Sequence, residues 1–157
     1  LYAGDMSDVS KRPNATLEIF SINDELEHPV AQSSVSVPAD ANGAIVVGAV
    51  NHLDGTLEPF SSHGPTNDGK SVPHVVGPDG VTTLAYGGNL FYGTSATTPY
   101  VAGIAALMLE KNSEAAPDEL LTLIQENAIL DSSLTESEEE SNSFGYGTLD
   151  AMFLLEE

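Results

Sequence analysis

Seven residues, Ala44 to Val50 (AIVVGAV), form an unbroken run of β-branched and small apolar side chains, closed by Asn42-Gly43 before it and by Asn51 and Asp54-Gly55 after it. A strand with one wet face alternates polar and apolar residues, so a run without alternation is a strand buried on both faces. Such strands belong to parallel sheets covered by helices, and the run therefore predicts an α/β domain. A second short strand is predicted at Leu57 to Ser61, joined across Asp54-Gly55, and a third at Leu17 to Ser21, where the residues alternate.

Two helices complete this layer. From Ser95 or Thr97 to about Lys111 the sequence is helical, with Pro99 in the first turn, where its missing N–H has no intrahelical role. Small or apolar residues surround nearly its whole circumference, which predicts a helix buried in the middle of the domain. A second helix is predicted from about Pro117 to Ala128, with Leu120, Leu121, Leu123, Ile124 and Ala128 along one side and Asp118 and Glu119 at the N-terminal dipole. Residues 62 to 90, rich in Gly, Pro, Asn and Asp, read as turns and short strands. Residues 1 to 16 read as a loop or truncated start, and 132 to 143 as a solvated acidic loop. The 157 residues fit one domain with a core of its own.

Charge narrows the partners. Against 24 Asp and Glu stand 4 Lys and Arg, a net charge of −20. That surface repels phosphate backbones and anionic lipid, which sets aside nucleic-acid and membrane binding. The absence of cysteine excludes disulfides, thiolate chemistry and Cys-ligated zinc, and leaves the compartment open. The longest apolar run, Val101 to Leu109, is far short of the roughly 20 residues that cross a bilayer, and the N-terminus carries no signal pattern.

Thr94-Ser95 before an apolar helix has two readings. As a cap, a hydroxyl accepts an otherwise unpaired backbone N–H. As a nucleophile, Ser95 sits where its own N–H and the helix dipole favour a developing oxyanion. Gly93 would let a ligand approach, and Ala102, Gly103, Ala105 and Ala106 would let the helix pack tightly.

The stretch GTSATTPYVAG (93 to 103) resembles the serine signature of the subtilisin-like proteases. Three more segments resemble family motifs in the family's order: VPADANGAIVVGAV (37 to 50), FSSHGPTNDG (60 to 69) and FGYGTLDA (144 to 151). The resemblance covers roughly residues 33 to 153. It implies a subtilisin-like parallel sheet flanked by helices, with this chain forming the C-terminal part of the catalytic domain. It also implies Ser95 as the nucleophile, its N–H as one oxyanion donor, a peptide or protein substrate, and secretion. Tyr100 stands where the family usually has a non-catalytic His, and Pro73-His74-Val75-Val76-Gly77-Pro78 where it usually has Pro-Asp-Val-Val-Ala-Pro.

The family's Asp-[Ser/Thr]-Gly and His-Gly-Thr-x-Val motifs are not in the sequence. His63 falls where the family commonly has Arg and reads as a loop residue; His28, His52 and His74 sit in turn-like contexts, so no base is assigned. The family's oxyanion asparagine lies in an Ala-Gly-Asn segment, whose nearest match is Ala3-Gly4-Asp5. Asp5 could donate there only if protonated, and its plain reading is a loop aspartate. The resemblance thus implies a serine endopeptidase whose missing N-terminal part supplies Asp and His, with this chain inactive alone. A catalytically inactive binding or scaffold module is the alternative, and an acidic, cation-loaded surface module a third reading. No cofactor is required; calcium is the cation the family suggests, with Asp5 and Asp8, Asn67 and Asp68, or the carbonyls near Ala39 to Ala44 as oxygen sources.

Overall fold

Only the second half of the apolar run forms β1 (Val47–Asn51), with Gly48 to Val50 buried and Ala44 to Val47 half-buried; β1 pairs in parallel with β2 (Val75–Asp79), with Val47 opposite Val75 and Asn51 opposite Asp79. The computed structural model describes residues 18 to 21, 26 to 131 and 137 to 155. Beyond β2 the chain makes a small antiparallel pair, β3 (Val81–Thr82) and β4 (Leu90–Phe91), around a short 3-10 turn, then enters α1 (Thr94–Lys111) and α2 (Pro117–Glu126). It returns through β5 (Ala128–Ile129), α3 (Glu138–Phe144) and β6 (Thr148–Leu149). The main sheet has the order β1-β2-β6-β5, with β6 parallel to β2 and β5 antiparallel to β6. This is the expected α/β layer, a mostly parallel sheet with helices packed on it.

One core joins sheet to helices. Val75 and Leu149 from the strands meet Val101, Ile104 and Met108 of α1 and Leu120 and Ile124 of α2. Gly77 lets the first turns of α1 come close to β2, since a Cβ there would lie 3.3 Å from Thr97 Cβ. Thr97 itself is fully buried. Glu119 Oε2 accepts the Ala116 N–H at 2.8 Å, which holds the start of α2.

Several expectations need correction. Residues 18 to 21 form no strand, and Ile19 and Phe20 are exposed; alternation alone gave that segment no partner to pair with. Leu57 makes a single antiparallel bridge to Val50 in place of a strand to Ser61. Leu123 of α2 faces outward. Helix α1 is not covered all round: Ala102, Gly103, Ala106 and Leu107 are exposed on the side away from the sheet. Because α1 begins at Thr94, Pro99 is its sixth residue, and its missing N–H is one that would have bonded the Ser95 carbonyl.

The second half of the predicted acidic loop is helical. Ser137 Oγ accepts the Glu140 N–H at 3.2 Å and so caps α3. The helix then docks on the loop before β2: Asn142 O accepts the Gly64 N–H (2.8 Å), and Asn142 and Ser143 are buried.

Candidate active site

Ser95 is the second residue of α1, exposed, while Ala96 and Thr97 immediately behind it are buried. Its backbone N–H lies in the first helical turn, where amides have no acceptor inside the helix and point outward with the positive end of the dipole. The site stands at the carboxyl ends of β1 and β2, where open parallel sheets place their ligand crevices.

The turn that presents Ser95 is built at Gly93, whose φ of 114° and ψ of 159° lie in a region open essentially to glycine alone. A Cβ at Gly93 would meet nothing closer than the Ser95 nitrogen, at 3.6 Å, so conformation and not space requires the glycine. The turn is tied at both its polar groups. Gly93 N–H donates to Asp79 Oδ1 at 2.8 Å, and Gly93 O accepts the Ala96 N–H at 2.7 Å. Asp79, the last residue of β2, is completely buried. No motif singles Asp79 out, because it lies alone in a glycine-rich stretch.

The histidines are held elsewhere by their own bonds. His52 Nδ1 lies 2.8 Å from the Asp79 carbonyl oxygen; an oxygen that can only accept makes that nitrogen the donor. His74 Nδ1 accepts the Val46 N–H at 2.9 Å, and burial pushes its pKa below the usual value. His63 Nδ1 lies 3.2 Å from Ser143 Oγ, whose own hydrogen goes to Glu139 O, so His63 donates. Burial lowers the His63 pKa against the opposing field of Glu139. His28 is exposed beside Glu27. These placements agree with the loop and structural readings.

Tyr100 is half-buried against Gly77, and burial raises its pKa, with Asp150 adding to the shift. Asp5 and Asp8 lie outside the described residues. Asn67 Nδ2 donates to Glu18 Oε2, and Asp68 pairs with Lys70 at 3.0 Å. Among the described residues no three His, Asp or Glu side chains gather as a metal site.

The arrangement offers an exposed serine and an adjacent helix-terminal amide on a turn tied by two hydrogen bonds. That suits nucleophilic attack on a carbonyl, provided a base is brought to Ser95 Oγ.

The chain is similar to known proteins. The chain is 29% identical over 141 residues to the serine protease AprX of Bacillus subtilis (strain 168), spanning 75% of this chain and 31% of that protein. It is 30% identical over 101 residues to the cell wall-associated protease of the same organism, spanning 62% of this chain and 10% of that one. Among solved structures, the CspB protease of Clostridium perfringens superposes with a TM-score of 0.68 at 25% identity over 83% of this chain and 30% of that chain. The chain therefore spans about a third or less of the length of these relatives. The subtilase family matches residues 6–147, nearly the whole chain, and the chain belongs to that family.

Proposed function

We propose that this chain carries the nucleophile of a subtilisin-like serine endopeptidase, as the C-terminal part of its catalytic domain. Ser95 Oγ attacks the carbonyl carbon of a peptide bond while its proton passes to a histidine base from the rest of the domain. The Ser95 N–H donates to the oxyanion of the tetrahedral intermediate. Collapse of the intermediate expels the amine, which takes up the proton, and leaves an acyl ester on Ser95. Water, deprotonated by the same base, then hydrolyses the ester.

The observation that carries this reading is the exposed Ser95 on the first turn of a helix whose inner side is buried, behind a glycine in a glycine-only conformation. Family membership supports the reaction class, and the names of the relatives support peptide or protein substrates. One relative's name, cell wall-associated protease, supports a place of action outside the cytoplasm. The chain by itself hydrolyses peptides slowly, because an unactivated serine is a weak nucleophile.

The test is covalent labelling. A fluorophosphonate probe applied to the folded, mature full-length protein labels Ser95, and Ser95→Ala abolishes both labelling and peptide hydrolysis. A folded, mature protein that leaves Ser95 unlabelled overturns the proposal.

A further inference from the structure

The reaction above uses Ser95 and leaves Asp79 without a part. Yet Asp79 is built into the turn at several points. Its Oδ1 accepts the Gly93 N–H, and its carbonyl accepts both the backbone N–H of His52 (3.2 Å) and the His52 ring N–H. Gly80, next in sequence, packs closely against two rings: a Cβ there would lie 2.9 Å from Tyr92 Cε1 and 3.0 Å from His52 Nδ1. A single strand end thus ties the turn after β1 to the residues just ahead of Ser95.

This tie is made by a poor group for a core. Asp79 is fully buried, and its Oδ2 has no hydrogen-bond partner among the described residues. An unpaired buried carboxyl oxygen works against stability, and an apolar side chain of similar volume would pack there without that penalty. What the apolar side chain would lack is the acceptor for Gly93.

We infer that Asp79 is a positioning residue for Ser95, its carboxyl oxygen fixing the Gly93 amide so that the nucleophile and its N–H face the scissile carbonyl together. The inference rests on the peptidase reading and adds a residue to it. Asp79 touches neither substrate nor the reacting atoms; it acts through the backbone of Gly93 to Ser95. Misplacing a nucleophile by about 1 Å lowers the rate by about a hundredfold with little change in substrate binding.

Two variants of the full-length protein separate this role from a merely structural one. Asp79→Asn keeps an acceptor oxygen, and its fluorophosphonate labelling and kcat stay within about threefold of wild type. Asp79→Leu keeps the branching and removes the acceptor, at the cost of a larger side chain in a buried site; its labelling rate and kcat per folded molecule fall by about tenfold to a hundredfold, with KM within about threefold. A structural role alone would lower the melting temperature and leave the rate per folded molecule unchanged. Amide exchange of Gly93 in wild type gives a reading that needs no variant: the amide is protected if Asp79 holds it.

A wild type whose Ser95 is unlabelled overturns the peptidase reading and this role with it. A wild type that is labelled, beside an Asp79→Leu variant labelled at the same rate, overturns the role of Asp79 alone. So does a Gly93 amide that exchanges freely in the native protein, which decides the matter should Asp79→Leu fail to fold.

Discussion

Gly93 and His74 are residues at which one atom decides the outcome. At Gly93 a methyl group finds space but the backbone forbids it, so Gly93→Ala either distorts the turn or destabilises the chain by about 1–3 kcal/mol, read by chemical denaturation. In the full-length protein the same variant is labelled at Ser95 more slowly, because the turn that aims the hydroxyl has moved. At His74 the lone pair on Nδ1 accepts the Val46 N–H, and protonation would place a hydrogen against that donor. Burial already holds the folded pKa below the unfolded value of 6.5. The folded chain therefore keeps a neutral imidazole where the unfolded chain takes up a proton. Stability from this group is complete above the unfolded pKa and is lost as pH falls through 6.5 towards the folded value. Burial lowers the His63 pKa as well, so its contribution has the same sign, although its Nδ1 donates and no lone pair is lost there. His74→Asn keeps an acceptor without a titration, so the wild type loses stability relative to the variant as pH drops from about 7.5 to about 5.5. Parallel unfolding midpoints across that range would contradict the assignment. The place of Ser95 at the start of α1 was legible in the sequence because Gly-Thr-Ser and Pro99 form a local pattern. Asp79 was not, because its role depends on β2 ending beneath a turn 14 residues later.

Elements were legible where periodicity and terminal signals coincide. The run at 44 to 50 gave β1, and Pro117 with Asp118 and Glu119 gave the start of α2. Helix α3 was missed for a reason visible in the residues: Ser137 with Glu140 three positions on is a capping pair, yet the density of glutamates read as a solvated loop. The sequence could not show that Asn142 and Ser143 would be docked by Gly64 and His63. Helix α1 was placed correctly but over-buried, since its apolar residues lie on all sides while the sheet and α2 cover one. That difference is measurable in the isolated chain. Ile104, 3% exposed, belongs to the core, so Ile104→Ala costs about 2–5 kcal/mol. Leu107, 50% exposed, changes stability by about 0.5 kcal/mol or less on replacement by Ala. Equal losses at the two positions would mean that the outer side of α1 is covered as well as the inner.

The whole molecule carries a net charge of −20 on 157 residues, and this bears on its stability through distance. Two of its four cationic side chains lie among the described residues. Lys70 is paired with Asp68 and donates to the Asp40 carbonyl, and Lys111 donates to the Leu154 carbonyl. Local pairing of this kind leaves most of the acidic surface without compensation, so like charges repel across the fold and favour the expanded chain. Repulsion between exposed groups is screened by salt: the Debye length is about 30 Å at 0.01 M and about 8 Å at 0.15 M. The core contacts at Val75, Ile104 and Ile124 carry no charge and do not share this dependence. Raising sodium chloride from about 0.01 M to about 0.15 M therefore raises the unfolding midpoint of the chain, with most of the gain at the lower concentrations. The salt chosen matters to the interpretation, because chloride salts in this range act mainly by screening, whereas sulfate also strengthens apolar burial. An unfolding midpoint that stays flat or falls over that range would mean that the acidic surface is spread too widely, or paired too well, for its self-repulsion to govern the fold.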